Sequence, residues 1–514
     1  MRGLRRVTAL LMSEHLLLPA ILLTPLAGAA GILLLRKRPN VREAASLATA
    51  AVLFVLVIAL LPAVLRGGRP QLVAFEFVPG IGFAFHAEPL GMAFALIVSF
   101  LWFITVLYAI GYMRAHHEQH QGRFYLFFAL AIAATIGGAF AANLLTLYFF
   151  YEALTLATYP LVTHGGKDKD RAGGHTYLTI LLGTSLVFLL LAMAWTYLLA
   201  GTLSFTDGGI FANGTGLVGD LSPALLAVLF ALFLFGTGKA ALMPFHRWLP
   251  AAMVAPTPVS ALLHAVAVVK LGVFAILKVT VYIFGLDTLT RFGAAELMQY
   301  VAAATLLLAA LFALRENNLK RRLAYSTISQ LAYIVLAATL ANQLSLVAGG
   351  MHIAAHAFAK ITLFFCAGVI LVSLHKTTVS ELRGLGRAMP ITFTAWTVAS
   401  LCVIGLPLTG GFWSKWYLAQ GALQAGEPLM MAVVLAGSLL AMGYLLPPAI
   451  LAFYSPAAPA ANDAPTAEAA EAATPRRFEG PVPSLVALSV TAAVSVLLFF
   501  AVQPVFRLLD GMGG

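Results

Sequence analysis

Along the chain, apolar stretches of about twenty residues alternate with short polar or glycine-rich loops from one end to the other. Twenty apolar residues is the length at which a helix crosses the roughly 30 Å hydrocarbon layer of a membrane. A window of about that length predicts about fourteen spans, near 16–35, 44–65, 89–112, 124–141, 143–163, 176–200, 222–244, 258–284, 295–314, 322–341, 345–374, 390–418, 428–454 and 482–508. The expected fold is therefore an all-α polytopic membrane protein. One segment lacks any apolar period: SPAAPAANDAPTAEAAEAATPRRFEG, rich in Ala, Pro and Glu, predicts a flexible cytoplasmic linker before the last span. That makes the last span the one expected to be least tied to the bundle.

Loop charge orients the spans. RKRPNVRE, YMRAHHEQHQGR, GGKDKDRAGG, RENNLKRR and HKTTVSELRGLGR follow odd-numbered spans, whereas TDGGIFANGTGLVGD, GLDTLTR and ANQLS follow even-numbered ones. The excess of Lys and Arg puts the first set in the cytoplasm and both termini outside, although the basic MRGLRR start runs against that assignment. Glu14 and His15 interrupt the short apolar run after MRGLRR, and no cleavage motif follows, so this segment reads as a lead-in to the first span and not a signal peptide.

Composition agrees. Of the 514 residues 61% are hydrophobic and 10% charged, against about a quarter charged in soluble proteins, and the mean hydropathy is +0.93. The net charge of +11 lies mostly in loops and sets topology; no aromatic-basic patch suggests nucleic acid. The two cysteines, Cys366 and Cys402, lack ligand spacing, and neither a haem-attachment motif, a dinucleotide fingerprint nor a phosphate loop is present. No cofactor is expected.

The informative residues are ionisable groups inside the spans, where an idle charge is expensive. Glu152 is the acid in NLLTLYFFYEALTLATYPL. Lys239 lies in FGTGKAALMPF, between glycines and before a proline. Lys270 and His264 lie in SALLHAVAVVKLGVFAILK, with Lys278 near the far end of the same helix, where its stem predicts snorkelling to the interface. His352, His356 and Lys360 recur at i, i+4 and i+8, a stripe on one helix face. Lys415 lies in GLPLTGGFWSKWYLAQG, another Gly/Pro-broken stretch. Lys239 and Lys415 share a context: an apolar run, a glycine-rich break, and aromatics including Trp248 or Trp416. Paired interrupted spans in two halves point to an inverted-repeat transporter. A haem held by His264 and a facing histidine is the competing reading of the histidines.

At FYEALTLATYPLV, GKAALMPFHRWLPAAMVAPTPVSALLHAVAVVK, RRLAYSTISQLAY, HIAAHAFAKITLFFCAG and GLPLTGGFWSKW the chain resembles the antiporter-like membrane subunits of complex I, membrane-bound hydrogenases and Mrp-type cation/proton antiporters. The run after Lys360 looks closest to the D-type member of the Mrp antiporters, and a lysine at position 415 differs from the glutamate of the M-type member of complex I. The resemblance implies fourteen spans, with two inverted repeats of five helices and breaks in spans seven and twelve. Spans 1–3 would occupy residues 1–123, the first half-channel 124–284, the second 295–454, the linker 455–481 and the last span 482–514. It also implies a Glu152–Lys239 ion pair, a proton route through Lys270, His356 and Lys360, and Lys415 at the end of the second half-channel. The implied partners are other membrane proteins of a larger complex, protons and a monovalent cation such as Na⁺, in a bacterial or archaeal plasma membrane. Whether ion gradients or a redox enzyme drive such a chain is left open by these residues.

Overall fold

The computed structural model describes residues 2–78, 81–212, 222–456 and 479–512, without the side chains of 2–15, 78 and 264. Most of the linker expected at 455–481 lies outside the described residues.

The helices follow the predicted order: α1 Arg2–Leu34, α2 Pro39–Leu65, α3 Pro89–Ala115, α4 Gln121–Ala139, α5 Leu144–Val162 and α6 Asp168–Ala200. Next comes α7 Pro223–Gly236, which ends at the glycine-rich break. The order continues with α8 Val268–Phe284, α9 Glu296–Arg315, α10 Leu319–Thr339, α11 Gln343–Leu374, α12 Pro390–Ile404, α13 Gly410–Gln424, α14 Pro428–Tyr454, α15 Val482–Phe500 and α16 Val502–Asp510. Among the described residues nine helices are long and apolar enough to cross a membrane, ten if α8 and the bent Leu286–Phe292 count as one. The other predicted spans are those that glycine and proline interrupt, α7 with its break and α12 with α13, and those diluted by polar residues, α5 and α10.

Asparagine starts three of these helices. Asn143, Asn318 and Asn342 accept the amides of Thr146, Arg321 and Ser345, satisfying donors that a helix start leaves bare. The two loop sets that charge assigns to opposite sides gather at opposite ends. Arg114 pairs with Glu43, Arg42 donates to Gln121 at 3.0 Å, and Arg123 donates to the His164 carbonyl at 2.8 Å, all at the end that loop charge assigns to the cytoplasm.

Burial separates centre from rim. In α11 78% of the span window is buried inside the protein, against 28% in α6, so α11 is the central post and α6 faces lipid. Leu198, Leu439 and Phe500 are large apolar side chains left exposed, as a lipid-facing surface requires.

The helical bundle carries one short addition: β1 Gln71–Val78 and β2 Ile81–His86 form an antiparallel hairpin at the end that loop charge assigns to the outside. The segment is too short to span as a helix, and its β-branched and aromatic residues suit paired strands. One expectation needs correction: the last span is well tied in. In α15, Thr491 meets Thr362 of α11 at 2.7 Å, and Ser484 donates to the Tyr108 carbonyl of α3 at 3.1 Å. Trp413 of α13 donates to the Phe499 carbonyl at 3.0 Å. These bonds are tertiary, so linker composition could not foretell them.

Just before α15, Glu479 accepts the Ile391 amide at 2.7 Å and the Thr392 hydroxyl at 3.0 Å, placing a carboxylate on the first turn of α12. Glu479→Ala should cost about 1 kcal/mol. The expected reading is a lower unfolding temperature of the detergent-solubilised protein; an unchanged temperature would reject this tether.

Candidate functional site

The first break is built around Lys239. Helix α7 stops at Gly236, a short 3-10 turn spans Gly238–Ala240, and Ala241 takes a left-handed conformation at φ 55°. A break inside the membrane frees backbone groups that need partners. Trp248 supplies one, its indole N–H donating to the Gly238 carbonyl at 3.0 Å, and the Tyr151 hydroxyl supplies another by accepting the Lys239 amide at 3.0 Å. The Lys239 ammonium is fully buried, donating to the Tyr151 carbonyl at 2.8 Å and the Thr155 hydroxyl at 2.6 Å, over the Tyr151 ring at 3.3 Å from its centroid. Gly272 of α8 lets the break pack this closely, since a Cβ there would lie 2.6 Å from the Ala240 amide nitrogen.

Glu152 follows Tyr151 on α5, the residue whose carbonyl and ring hold the Lys239 ammonium. Its carboxylate oxygens are buried and receive no hydrogen bond, and among the described residues no Glu152–Lys239 ion pair is formed. Lys239 is held here by neutral oxygens.

The second break differs in its partner. Helix α12 ends at Gly405, φ 91°, and Lys415 on α13 turns back to donate to the last carbonyls of α12, Val403 at 2.8 Å and Ile404 at 3.1 Å. A helix C-terminus presents bare carbonyls and negative partial charge, which suits an ammonium. Ser438 accepts a third bond at 3.0 Å, and the Tyr333 ring lies 4.4 Å from the ammonium. A Cβ at Gly405 would lie 2.7 Å from the Lys415 Cδ, so this glycine makes room for the lysine as well as the turn. Each break thus seats a buried lysine over a tyrosine ring from a neighbouring helix. Their tryptophans are not equivalent: Trp248 braces the first break, while Trp416 is exposed and stacks on Phe412.

Between the breaks runs α11, continuous where its neighbours are interrupted. Its stripe touches three different helices. His352 meets Ser414 of α13 through Nδ1 at 2.9 Å, His356 meets the Lys270 ammonium of α8 through Nδ1, and Lys360 donates to Ser326 of α10 at 2.6 Å. The two imidazoles stack at 6.0 Å. Ser326 in turn donates to the Tyr444 hydroxyl at 3.0 Å. His264 lies on a π-turn, Leu262–Val266, in the Pro-rich approach to α8; its side chain lies outside the described residues.

Lys278 corrects the snorkelling expectation. It is fully buried and paired with Glu88 at 2.7 Å, and Glu88 is fully buried too. Glu88 caps the start of α3, 190 residues away in sequence, so only the fold brings the two together. Tyr151, Thr155, Tyr333, Ser326, Ser414 and Ser438 also went unnoticed in the sequence, because hydroxyls occur throughout the spans and carry no periodic signal.

A helical membrane bundle with a buried lysine at each of two helix breaks and a row of buried bases between them defines an antiporter-like membrane protein. Residues 141–441 match the family described as NADH:quinone oxidoreductase/Mrp antiporter, TM, and residues 79–125 match the NADH-Ubiquinone oxidoreductase (complex I), chain 5 N-terminus. The chain belongs to this family. It is 32% identical over 436 residues to NADH-quinone oxidoreductase subunit N of Desulforudis audaxviator, covering 84% of this chain and 85% of that one. It is 32% identical over 370 residues to the A/B component of a probable K(+)/H(+) antiporter of Rhizobium meliloti, covering 72% of this chain and 36% of that one. A chain in the structure of the Mrp complex from Dietzia shares its fold, with a TM-score of 0.82, 22% identity and coverage of 97% of this chain and 96% of that one.

Removing one partner of a buried ion pair strands the other charge, at about 3–5 kcal/mol. Lys278→Ala should therefore reduce folded protein sharply, and Lys278→Met with Glu88→Gln should restore much of it. Normal yield of the single variant, read by size-exclusion chromatography, would refute the buried pair.

Proposed function

We propose that the chain is the proton-translocating member of a multisubunit complex in a bacterial or archaeal plasma membrane, exchanging protons against a monovalent cation such as Na⁺ or K⁺. The observation carrying this reading is the contact between Lys270 and His356, which joins the lysine of one half to the histidine stripe that ends beside Lys415.

In this reading Glu152 and Lys239 form the switch. The approach or withdrawal of Glu152 decides whether Lys239 holds its proton or passes it toward Lys270. Moving one charge across 100 mV involves about 2.3 kcal/mol, comparable to a change of roughly two pKa units at 1.36 kcal/mol each. Small rearrangements of the broken helix are enough.

Among the described residues no ion pair includes Lys239, Lys270, Lys360 or Lys415. Two like charges 4 Å apart cost about 4 kcal/mol at an effective dielectric of 20. The row therefore works with few of its bases charged at once, and a proton arriving at one base displaces the next. His352, ending beside Ser414, hands the proton toward Lys415; Lys360 offers a branch through Ser326 and Tyr444.

The alternative, in which the chain is the pumping arm of a redox complex, is favoured by the nearly full-length similarity to NADH-quinone oxidoreductase subunit N. Gentle purification and mass spectrometry separate the two: small antiporter chains alone support the first reading, while flavin, iron–sulfur or nickel–iron chains support the second.

In vesicles containing the intact complex, Glu152→Ala, Lys239→Ala and Lys415→Ala should each lower proton translocation by about a hundredfold or more, with assembly retained. Normal translocation by Lys239→Ala would end this mechanism.

A further inference from the structure

Glu88 and Lys278 are not sealed off. On the far side of Glu88, His86 approaches its second oxygen at 3.5 Å. His86 ends β2 and lines a cavity of about 320 Å³ together with Arg69, Asn143, Ser204, Phe205 and Asp207. Every one of these belongs to a segment that loop charge places outside, and short backbone bridges stitch the segments together, Phe85 with Ala141 and Asn143 with Ser204. Side-chain exposure falls along the row, from 53% at Asp207 to 14% at His86 and 0% at Glu88 and Lys278.

We infer that His86, Glu88 and Lys278 form an outward-facing proton port, with His86 as the group that exchanges protons between the outer cavity and the buried pair. This rests on the proton-translocating reading of the chain. A purely structural ion pair in the interior is held by further hydrogen bonds. Lys278 has one such bond, to the Ala141 carbonyl, and the Tyr282 hydroxyl faces Glu88; beyond its ionic contacts with Lys278 and His86, neither buried Glu88 oxygen receives a well-formed hydrogen bond from the described residues, so the carboxylate keeps the capacity to take a proton. Lys278 lies eight residues after Lys270 on α8, about 12 Å along the axis at 1.5 Å per residue, on the side toward the outer surface.

The transfer balances. Lys278 gives a proton to the Glu88 carboxylate, leaving an amine and a carboxylic acid. Glu88 passes it to the His86 imidazole and becomes a carboxylate again. The imidazolium releases it to water in the cavity, and the amine takes the next proton from within. The groups facing His86 are Glu88 at the start of α3, Lys278 of α8, Arg69 before the hairpin and Asp207 after α6. Burial pushes the imidazole below its ordinary value, Lys278 and Arg69 add to that, and Glu88 and Asp207 oppose it. His86 is therefore poised to release its proton to the outside.

The test uses the intact complex in vesicles, with translocation measured against outer pH between about 5 and 8 at fixed inner pH. His86→Gln should slow translocation by about a hundredfold and flatten the dependence on outer pH. A wild-type rate and profile in His86→Gln, alongside an inactive Lys239→Ala, would overturn the port while leaving the translocation reading intact. A wild-type complex that moves no protons would overturn that reading itself. If His86→Gln fails to assemble, Ser204→Cys decides. Its translocation should be lost when a membrane-impermeant cationic thiosulfonate is added from outside, and unchanged translocation after complete labelling would refute the port.

Discussion

Burying an ammonium in a membrane costs more than any single contact returns, and that cost organises this molecule. Lys239, Lys270, Lys278 and Lys360 are fully buried and Lys415 nearly so. Each is tolerated because the fold delivers oxygen or nitrogen atoms to it: a carbonyl and a hydroxyl from α5, an imidazole from α11, a carboxylate from the start of α3, a serine from α10, and the open end of α12. The helix breaks belong to the same solution. A continuous helix spends its carbonyls on itself, while an interrupted one has carbonyls to offer a lysine, as α12 does for Lys415.

The two halves solve the problem differently. Lys239 has an acid beside it on α5, and Lys415 has instead the partial charge of a helix terminus and a serine. The halves share an architecture of broken helix, lysine and tyrosine ring; in the proposed mechanism the acid of the first half is the switch and the fixed carbonyls of the second are a resting place. Between them α11 stays unbroken, which keeps His352, His356 and Lys360 at fixed spacing.

The Glu88–Lys278 pair shows how one buried site depends on distant parts of the chain. Its carboxylate comes from the residue before α3, its ammonium from the end of α8, and its surroundings from the hairpin and the loops after α4 and α6. None of those loops carries a motif. Together they grade exposure from the outer cavity down to a buried charge, which is what the proposed port uses.

Hydrophobic periodicity by itself determined the membrane class and the order of the spans, and loop charge sorted the loops into two sets, because the bilayer imposes length and polarity on each segment independently of the others. The rarity of charge inside spans likewise made Glu152, Lys239, Lys270, His352, His356, Lys360 and Lys415 visible. What the tertiary structure alone decided was partnership. Lys278 looked like a snorkelling residue because its stem is long and it sits near a helix end; a carboxylate from 190 residues earlier holds it inside. The last span looked loose because its linker is featureless, but its hydroxyls and one tryptophan contact lock it to α3, α11 and α13. Span and sidedness are local properties that a sequence window reads, whereas the partner of a buried charge is set by which helices meet, and that depends on packing across the whole chain.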